Sequence, residues 1–152
     1  MKHAFREADF GWEGIEPSGY EAGRSDAPDQ RHRGVTRHVI SGAAGEPSAF
    51  SVRYFEVAPG GFTRLERHEH VHSVTVLRGR GEALVGEHVH TVRPFDHVYV
   101  APLTLHQFIN ESSEPFGFLC VVDARRDRPQ PATAEEVAAL EANANTAGKI
   151  RI

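Results

Sequence analysis

Short segments that favour β-strands, separated by turn residues, are the feature that most constrains the fold of this chain. Between residues 35 and 122 the segments are rich in Val, Tyr, Phe and Thr, and clusters with Gly or Pro divide them. β-Branched and aromatic residues favour strands, whereas Gly and Pro mark turns. Many short strands at regular spacing are typical of a sandwich or a small barrel. The predicted strands are 35–40, 49–57, 62–67, 73–77, 82–85, 88–92, 97–100, 108–110 and 117–122, with turns at 42–47, 59–61, 78–81, 86–87, 94 and 111–115.

Both ends of the chain differ from this β-rich region. The first 34 residues mix Gly, Pro, Asp and Arg with scattered aromatic residues, which predicts an irregular arm that pins its aromatic side chains onto the body. Near the other end, Thr133 and Glu136 have the spacing of a capping box, so a short helix is predicted over 134–142. No repeat or long linker divides the chain. We expect an N-terminal arm (1–34), a β-barrel (35–130) and a C-terminal helix and tail (131–152).

The composition limits the partners and the compartment. The 152 residues carry a formal net charge of −4, which gives no electrostatic reason to expect a nucleic acid or an anionic membrane as partner. No apolar run approaches the length of a membrane span, and the first residues lack the pattern of a signal peptide. The single cysteine, Cys120, cannot form an internal disulfide, which fits a reducing cytoplasm. We therefore expect a cytoplasmic protein whose partner is a small molecule.

Metal-binding side chains stand at every second position from Glu66 onward. Glu66, His68, His70 and His72 share one face of an extended strand unless a turn intervenes, and His106 follows about one hairpin later. Neutral imidazole and carboxylate are common ligands of divalent transition metals. A solvated strand end with fortuitous histidines explains one histidine, but it does not explain five such groups. The sequence therefore predicts a metal-binding β protein.

Two stretches of the chain resemble the motifs of the cupin superfamily. The stretch 59–81, which contains His68 and His72, is similar to the first cupin motif, and the stretch 94–110, which contains His106, is similar to the second. The resemblance implies an all-β fold, the cupin double-stranded β-helix or jelly-roll barrel. It does not define a reaction, because one fold hosts many chemistries.

The resemblance also implies a ligand set. The common cupin pattern has His-x-His, then Glu three or four residues later, and a final His from the second motif. Counting back from Gly79 places Glu66, His68 and His72 at the first three positions, and His106 is the fourth. Three histidines and one carboxylate leave open positions in an octahedral shell, as Mn, Fe, Ni or Co accept, and zinc fits the same ligands. Manganese is the metal that we favour.

His70 is placed differently by two registers. In the preferred register it falls in the turn between two strands, as a nearby donor or a substitute ligand. In the alternative register His68 and His70 form the His-x-His pair, but the next ligand position falls on Val74 or Thr75, which cannot coordinate a metal. We prefer the first register for this reason.

The second motif departs from the cupin pattern at two positions. Phe95 replaces the Gly of Pro-Gly-Asp, and Leu103 stands where Gly is common. We expect these changes to reshape a turn and to leave His106 in place. Three other histidines stand at none of these ligand positions and are expected on the surface or in cross-strand contacts: His88, His90 and His97.

Cys120 lies in an apolar run over residues 116–122, and the run leaves its role open. A single buried cysteine is by default a small core residue, and it becomes a nucleophile where a nearby cation or metal favours the thiolate. Strand parity places Cys120 on the same face as Phe116, Phe118 and Val122. The strand alone does not define which face of the barrel this is.

A second resemblance covers residues 34–130. The stretches 53–61, 65–72, 106–108 and 117–120 are similar to a cupin subgroup that includes a bacterial methylthioxylulose 5-phosphate methylsulfurylase of methionine salvage. The resemblance implies a metal-dependent enzyme with a manganese-type centre. It also implies thiol-assisted removal of the methylthio group from a pentulose 5-phosphate, which leaves 1-deoxyxylulose 5-phosphate.

The same resemblance implies roles for individual residues. Cys120 would take the methylsulfanyl group as nucleophile, an external thiol such as glutathione would resolve the mixed disulfide, and His70 would shuttle the proton. Arg53 and Arg64 are the predicted phosphate-binding residues, and Arg64 shares parity with Glu66 and should therefore point inward. A homodimer is also implied.

Two alternatives stay open at this level. The chain could be a cupin dioxygenase or isomerase that acts on another small metabolite, with Cys120 only packing in the core. It could also be a non-catalytic cupin that binds a small molecule, although the acidic charge balance gives no support for a DNA-binding regulator.

Overall fold

The computed structural model describes residues 2–20, 31–42, 46–125 and 128–152. The predicted all-β fold with one short C-terminal helix is confirmed. Parts of the predicted arm (21–30) and of the predicted turn at 42–47 (43–45) lie outside the described residues. The elements are β1 (Phe5–Arg6), β2 (Gly11–Trp12), β3 (Ser18–Gly19), β4 (Arg33–Ser41), β5 (Phe50–Phe62), β6 (Glu66–Arg67), β7 (His72–Arg78), β8 (Gly81–Val85), β9 (His88–Val92), β10 (His97–Val100), β11 (His106–Ile109), β12 (Phe116–Asp123), β13 (Gln130–Pro131) and α1 (Ala134–Ala142).

One curled antiparallel sheet contains every described strand except the β1–β2 ribbon. Its main path runs β10-β7-β12-β5-β11-β6-β13; β4 and β3 extend it from β5, and β8 and β9 extend it from β11. The apolar core draws on β4, β5, β7, β8, β9, β11 and β12, and it includes Phe55, Phe108, Phe118 and Cys120. Within the described ranges, no helix is long and apolar enough to cross a membrane.

The predicted turn at 59–61 is wrong, because β5 continues through it as one strand. Gly60 has a φ of 70°, a left-handed conformation that Gly adopts at little cost, so the strand bends there without ending. The backbone N–H of Gly60 donates to Asn110 O at 2.9 Å, and the N–H of Asn110 donates to Gly61 O at 2.9 Å. The backbone hydrogen bonds between β5 and the segment after β11 therefore continue across the bend, and the chain then leads to β6.

The predicted strand 62–67 is reduced to the two residues of β6, because 63–65 lie outside any strand. A bend at 69–70 follows, and β7 begins at His72. The alternating metal-binding groups therefore do not share one extended strand. Their convergence depends on this bend, which the preferred register places at His70.

The N-terminal arm pins its aromatic side chains onto the body, as predicted. Ring centroids of Phe10 and Trp12 lie 5.3 and 5.2 Å from that of Tyr54, and the Tyr20 ring lies 5.9 Å from that of Phe55. Tyr54 and Phe55 are neighbours on β5 and point to opposite faces, so the arm contacts both faces of this strand. The arm also forms short strands that were not predicted, since β1 pairs with β2 and β3 pairs with β4.

The C-terminal helix begins at the predicted capping box. Thr133 Oγ1 accepts from the Glu136 backbone N–H at 3.2 Å, and the Thr133 backbone N–H donates to Glu136 Oε2 at 2.9 Å. Glu136 also pairs with Arg67 of β6. The hydrogen bond from the Thr133 N–H holds the pKa of Glu136 below its ordinary value, and the Arg67 guanidinium is the next largest cause. Leu140 packs in a second apolar cluster with Leu84, so the helix supports β6 and β8.

Candidate active site

Three histidines converge in one pocket. His68, His72 and His106 place their ligand nitrogens within 4.8 Å of one another. His68 lies between β6 and the bend at 69–70, and His72 and His106 are the first residues of β7 and β11. All three are buried, and His106 lies opposite Glu66 in the β11–β6 pairing. This three-histidine group can hold a metal ion.

The ring nitrogens of these histidines fit a metal. His106 Nδ1 lies 2.9 Å from Thr104 O and donates to it, which leaves Nε2 with its lone pair. His68 Nδ1 and His72 Nε2 are buried and have no hydrogen-bond partner among the described residues. A buried polar atom without a partner is costly. A cation accepts such lone pairs, so this donor set suits a divalent transition metal.

Burial keeps the imidazoles of His72 and His106 neutral. It lowers the pKa of His72 far below the ordinary histidine value, and repulsion from His106 and His68 lowers it further. Burial also lowers the pKa of His106 to about 4, although its hydrogen bond to Thr104 O and the charge of Glu66 act in the opposite direction. Neutral imidazole is the form that binds a metal. Both side chains are therefore in the ligand form at neutral pH.

Glu66 lies beside the three histidines and outside their 4.8 Å group. Its Oε1 is 3.2 Å from His68 Nε2 and accepts a hydrogen bond from the Tyr20 hydroxyl at 3.1 Å. The side chain is buried, so its charge acts on the site without much screening by water. The four-residue ligand set that includes Glu66 stays a prediction.

His70 lies in the bend between β6 and β7 and lines the same pocket. Its ring centroid is 4.6 Å from that of His68 and 5.0 Å from that of His72. The side chain is buried. It is therefore close enough to serve as a proton carrier or a substitute ligand.

The two departures from the cupin pattern have the backbone conformation that favours Gly. Phe95 has a φ of 75° and Leu103 a φ of 60°, a region where side chains with a Cβ are strained. The Leu103 backbone N–H donates to His68 O at 2.6 Å. The loop after β10 thus supports the bend that carries His68, and His106 keeps its place, as expected.

Cys120 lies in the pocket against His72 and Arg53. Its Sγ is 3.6 Å from His72 Nδ1 and 3.4 Å from Arg53 Nη2. It is only 2% exposed and packs in the apolar core with Phe118, with which it shares a strand face. Both interpretations from the sequence have a basis here. The sulfur packs in the core, and a guanidinium that favours the thiolate contacts it.

Two arginines line the pocket, Arg37 of β4 and Arg53 of β5. Arg64 is buried but is not among the lining residues. Arg64 lies in the segment 63–65, which is not a strand, so its predicted role in phosphate binding stays a prediction. The predicted place of Arg53 at the site agrees with the structure.

Aromatic side chains form the apolar side of the pocket. Phe55, Phe108 and Phe118 line it, and the rings of the last two lie 4.4 Å apart. The empty space in the pocket, counted together with open solvent at its mouth, is about 700 Å³. A small ligand therefore meets a histidine side, a cationic side and an aromatic side.

Sequence reasoning missed Arg37 and Tyr20 as pocket residues. Arg37 shares parity with Val35, which is buried in the core, so alternation along β4 could have placed it inward. Tyr20 offers no such signal, because it follows a two-residue strand in an irregular arm. His88, His90 and His97 are exposed as predicted, and one makes a cross-strand contact, with Thr75 Oγ1 3.1 Å from His97 Nδ1.

Comparisons with known proteins agree with this architecture. The profile of the family described as "Cupin domain" matches residues 53–122. A 1-methylthio-D-xylulose 5-phosphate methylsulfurylase from Rhodospirillum rubrum is 42% identical over 140 residues, which cover 90% of this chain and 84% of that protein. The chain belongs to the cupin family.

Solved structures of other cupins are similar over nearly the whole length. A cupin 2 conserved barrel domain protein from Rhodopseudomonas palustris superposes with a TM-score of 0.87 at 38% identity, and 100% of each chain is covered. A cupin-2 domain protein from Rhodospirillum rubrum gives a TM-score of 0.78 at 37% identity, with 97% of this chain and 99% of that chain covered. The resemblance to cupins seen in the sequence is therefore confirmed.

Proposed function

We propose that the protein is a metal-dependent enzyme that removes the methylthio group from a methylthioxylulose 5-phosphate, with a thiol such as glutathione as co-substrate. The observation that carries the proposal is the position of Cys120 Sγ, 3.6 Å from His72 Nδ1 and 3.4 Å from Arg53 Nη2. The 42% identity to a methylsulfurylase over 90% of this chain supports the same reaction.

The metal would be held by His68, His72 and His106, with Glu66 as the fourth ligand and manganese as the favoured ion. Bound there, the metal supplies Lewis-acid stabilisation for negative charge on a substrate oxygen. The buried imidazoles and the buried carboxylate suit this task, because electrostatic interactions are stronger where side chains are shielded from water.

Cys120 is the nucleophile in this proposal. Its thiolate attacks the sulfur of the methylthio group, an S–S bond forms, and the bond between that sulfur and the sugar carbon breaks. The electron pair of the broken bond goes to the carbon next to the ketone, where it is delocalised as an enolate. The cysteine sulfur is oxidised to the disulfide level, and the carbon is reduced to a methyl group once it takes a proton.

A second thiol completes the cycle. Its thiolate attacks the methylthio sulfur on Cys120, releases the Cys120 thiolate, and leaves as a mixed disulfide with the methylthio group. Glutathione is the proposed thiol. His70, 4.6 Å from the His68 ring between centroids, carries the proton to the carbon. The proton that the carbon gains balances the one that the attacking thiol loses.

Arg37 and Arg53 form the phosphate-binding side of the pocket in this proposal. Both guanidinium groups are permanently charged and suit the planar, bidentate recognition of phosphate. They line the pocket together with Phe108 and Phe118, which accommodate the methylthio group through sulfur–aromatic contacts. Arg53 then has two tasks, since it also contacts Cys120.

The decisive experiment separates the two half-reactions. Wild-type protein loaded with manganese is mixed with methylthioxylulose 5-phosphate without added thiol, and its mass is measured. The expected result is one methylthio group on Cys120 and a matching amount of 1-deoxyxylulose 5-phosphate. Glutathione should then remove the group. Product formation in Cys120→Ser at the wild-type rate would show that the thiol is not the nucleophile.

The second candidate function is a cupin oxygenase or isomerase that acts on another small metabolite. The 2% exposure of Cys120 and its place in the apolar core favour this alternative, in which the sulfur only packs. Oxygen consumption by the iron-loaded protein, with no response to glutathione, would support it over the thiol-dependent reaction.

A further inference from the structure

The last described residue before the gap at 21–30, Tyr20, reaches the pocket from the N-terminal arm. The strand just before it pairs with β4, with Ser18 opposite Arg37 and Gly19 opposite Thr36. The Ser18 hydroxyl also donates to Arg37 O at 3.1 Å. This pairing fixes the backbone from which the Tyr20 side chain extends.

The Tyr20 side chain has an apolar and a polar contact. Its ring lies 5.9 Å from the Phe55 ring between centroids, and its hydroxyl donates to Glu66 Oε1 at 3.1 Å. The same carboxylate oxygen lies 3.2 Å from His68 Nε2. Tyr20, Glu66 and His68 therefore form a chain of polar contacts that ends at the three-histidine group.

Strand pairing on both edges holds the backbone of Glu66 in place, so only the conformation of its side chain can vary. Glu66 lies opposite His106 of β11 and opposite Pro131 of β13. A carboxylate at the end of a flexible side chain gains orientation from a hydrogen-bond donor, and such outer contacts tune the affinity of a metal site. The Tyr20 hydroxyl is placed to provide this orientation.

We infer that Tyr20 is a positioning residue of the metal site, acting through Glu66, so that the N-terminal arm is a structural part of the active site. The inference rests on the proposed metal site and is independent of the reaction. It assigns a task to the arm beyond packing, because the arm anchors at Tyr54 through Phe10 and Trp12 and delivers a hydroxyl to the pocket.

The test uses the full chain and measures binding of Mn²⁺ alone. Tyr20→Phe keeps the ring on Phe55 and removes the hydroxyl, and Tyr99→Phe, at an exposed tyrosine of β10, is the matched control. Removing an outer partner of a metal ligand typically costs about 10–100-fold in affinity. We expect a loss in this range for Tyr20→Phe and none for the control. An affinity for Mn²⁺ within about twofold of wild type would overturn the inference.

A double-mutant cycle separates an effect through Glu66 from a loss of arm packing. If Tyr20 acts through Glu66, then Tyr20→Phe should change the Mn²⁺ affinity of a Glu66→Ala variant by less than about twofold. Additive losses, or no effect of Glu66→Ala by itself, would refute the inference. Wild-type protein that binds no Mn²⁺ would refute the metal site together with it. Normal wild-type binding with an unaffected Tyr20→Phe would refute the positioning role alone.

Discussion

Cys120 Sγ lies 3.6 Å from His72 Nδ1, so a single histidine links the thiol to the group that can hold a metal. The other ring nitrogen of His72, Nε2, is buried without a hydrogen-bond partner among the described residues. A metal on Nε2 and a sulfur beside Nδ1 are therefore compatible on one ring. In the proposed function, this arrangement joins a core cysteine and a metal site in one reaction.

The first prediction concerns the charge next to the thiol. Arg53→Met should slow the reaction of Cys120 with methyl methanethiosulfonate by roughly tenfold, because the guanidinium 3.4 Å away favours the thiolate, and the thiolate is the reacting form. Arg80→Met, at an exposed arginine, is the control. The reagent leaves a methylthio group on the sulfur, and release of that group by glutathione can be followed by mass spectrometry. Equal labelling rates in both variants would contradict the role of Arg53.

The second prediction concerns the metal ligands. His106→Ala should lower the manganese content of the purified protein by at least about tenfold, because the site loses one of its three histidine ligands. His97→Ala, at an exposed histidine, should keep the full content. Elemental analysis measures both. Chelation should also lower the unfolding temperature of the wild type, since a ligand that binds only the folded state stabilises it. Full metal content in His106→Ala would refute the ligand assignment.

The third prediction concerns pH and the docking of the N-terminal arm. His38 is buried, its ring lies 6.1 Å from the Trp12 ring between centroids, and burial lowers its pKa. In the unfolded chain its pKa is about 6.5. Below this pH the unfolded state therefore binds more protons at His38 than the folded state does. The contribution of neutral His38 to stability is thus complete above about pH 6.5 and is lost as the pH falls below this value.

Urea unfolding, followed by the fluorescence of the single tryptophan, tests this dependence. Between pH 7.5 and 5.5 the free energy of unfolding should fall less in His38→Gln than in wild type, by up to about 1.4 kcal/mol per pH unit. The other buried histidines contribute equally to both proteins, so the difference isolates His38. Identical pH dependences would contradict the prediction.

The fourth prediction concerns close packing next to β12. A Cβ added at Gly117 would overlap the hydroxyl of Tyr54, a fully buried side chain that donates to Glu56 at 2.9 Å. Gly117→Ala should therefore destabilise the protein by about 1–3 kcal/mol. Gly19→Ala, where an added Cβ meets nothing within 4 Å, is the control. Chemical unfolding measures both, and equal stabilities would show that Tyr54 can move without cost.

Much of the fold was accessible from local sequence. The capping box at Thr133 predicted α1 with its correct bounds, since side-chain and backbone groups three residues apart satisfy each other. The hairpin of β8 and β9 followed from the turn at 86–87. By contrast, the residue types of Pro-Gly-Gly at 59–61 predict a turn, because they do not reveal that Asn110 continues the hydrogen-bond ladder across it.

Only part of the candidate site was accessible from the sequence, because local spacing reveals motifs but does not reveal tertiary contacts. His68, His72 and His106 were found from motif spacing, and the bend at His70 agreed with the preferred register. Arg64 is buried, as its parity with Glu66 predicted, and its role in substrate binding stays a prediction. The exact ligand set, the domain bounds, the homodimer and the cytoplasmic location stay predictions.

The sequence by itself determined the β-rich composition, the turns, the helix cap and the family, because these depend on residue type and short spacing. Only the tertiary structure decided that Cys120 meets His72 and Arg53, and that Tyr20 reaches Glu66. These contacts join residues 46 to 67 positions apart in the chain. Such long-range contacts depend on which strands pair and where the sheet curls, and both are set by packing of the whole core.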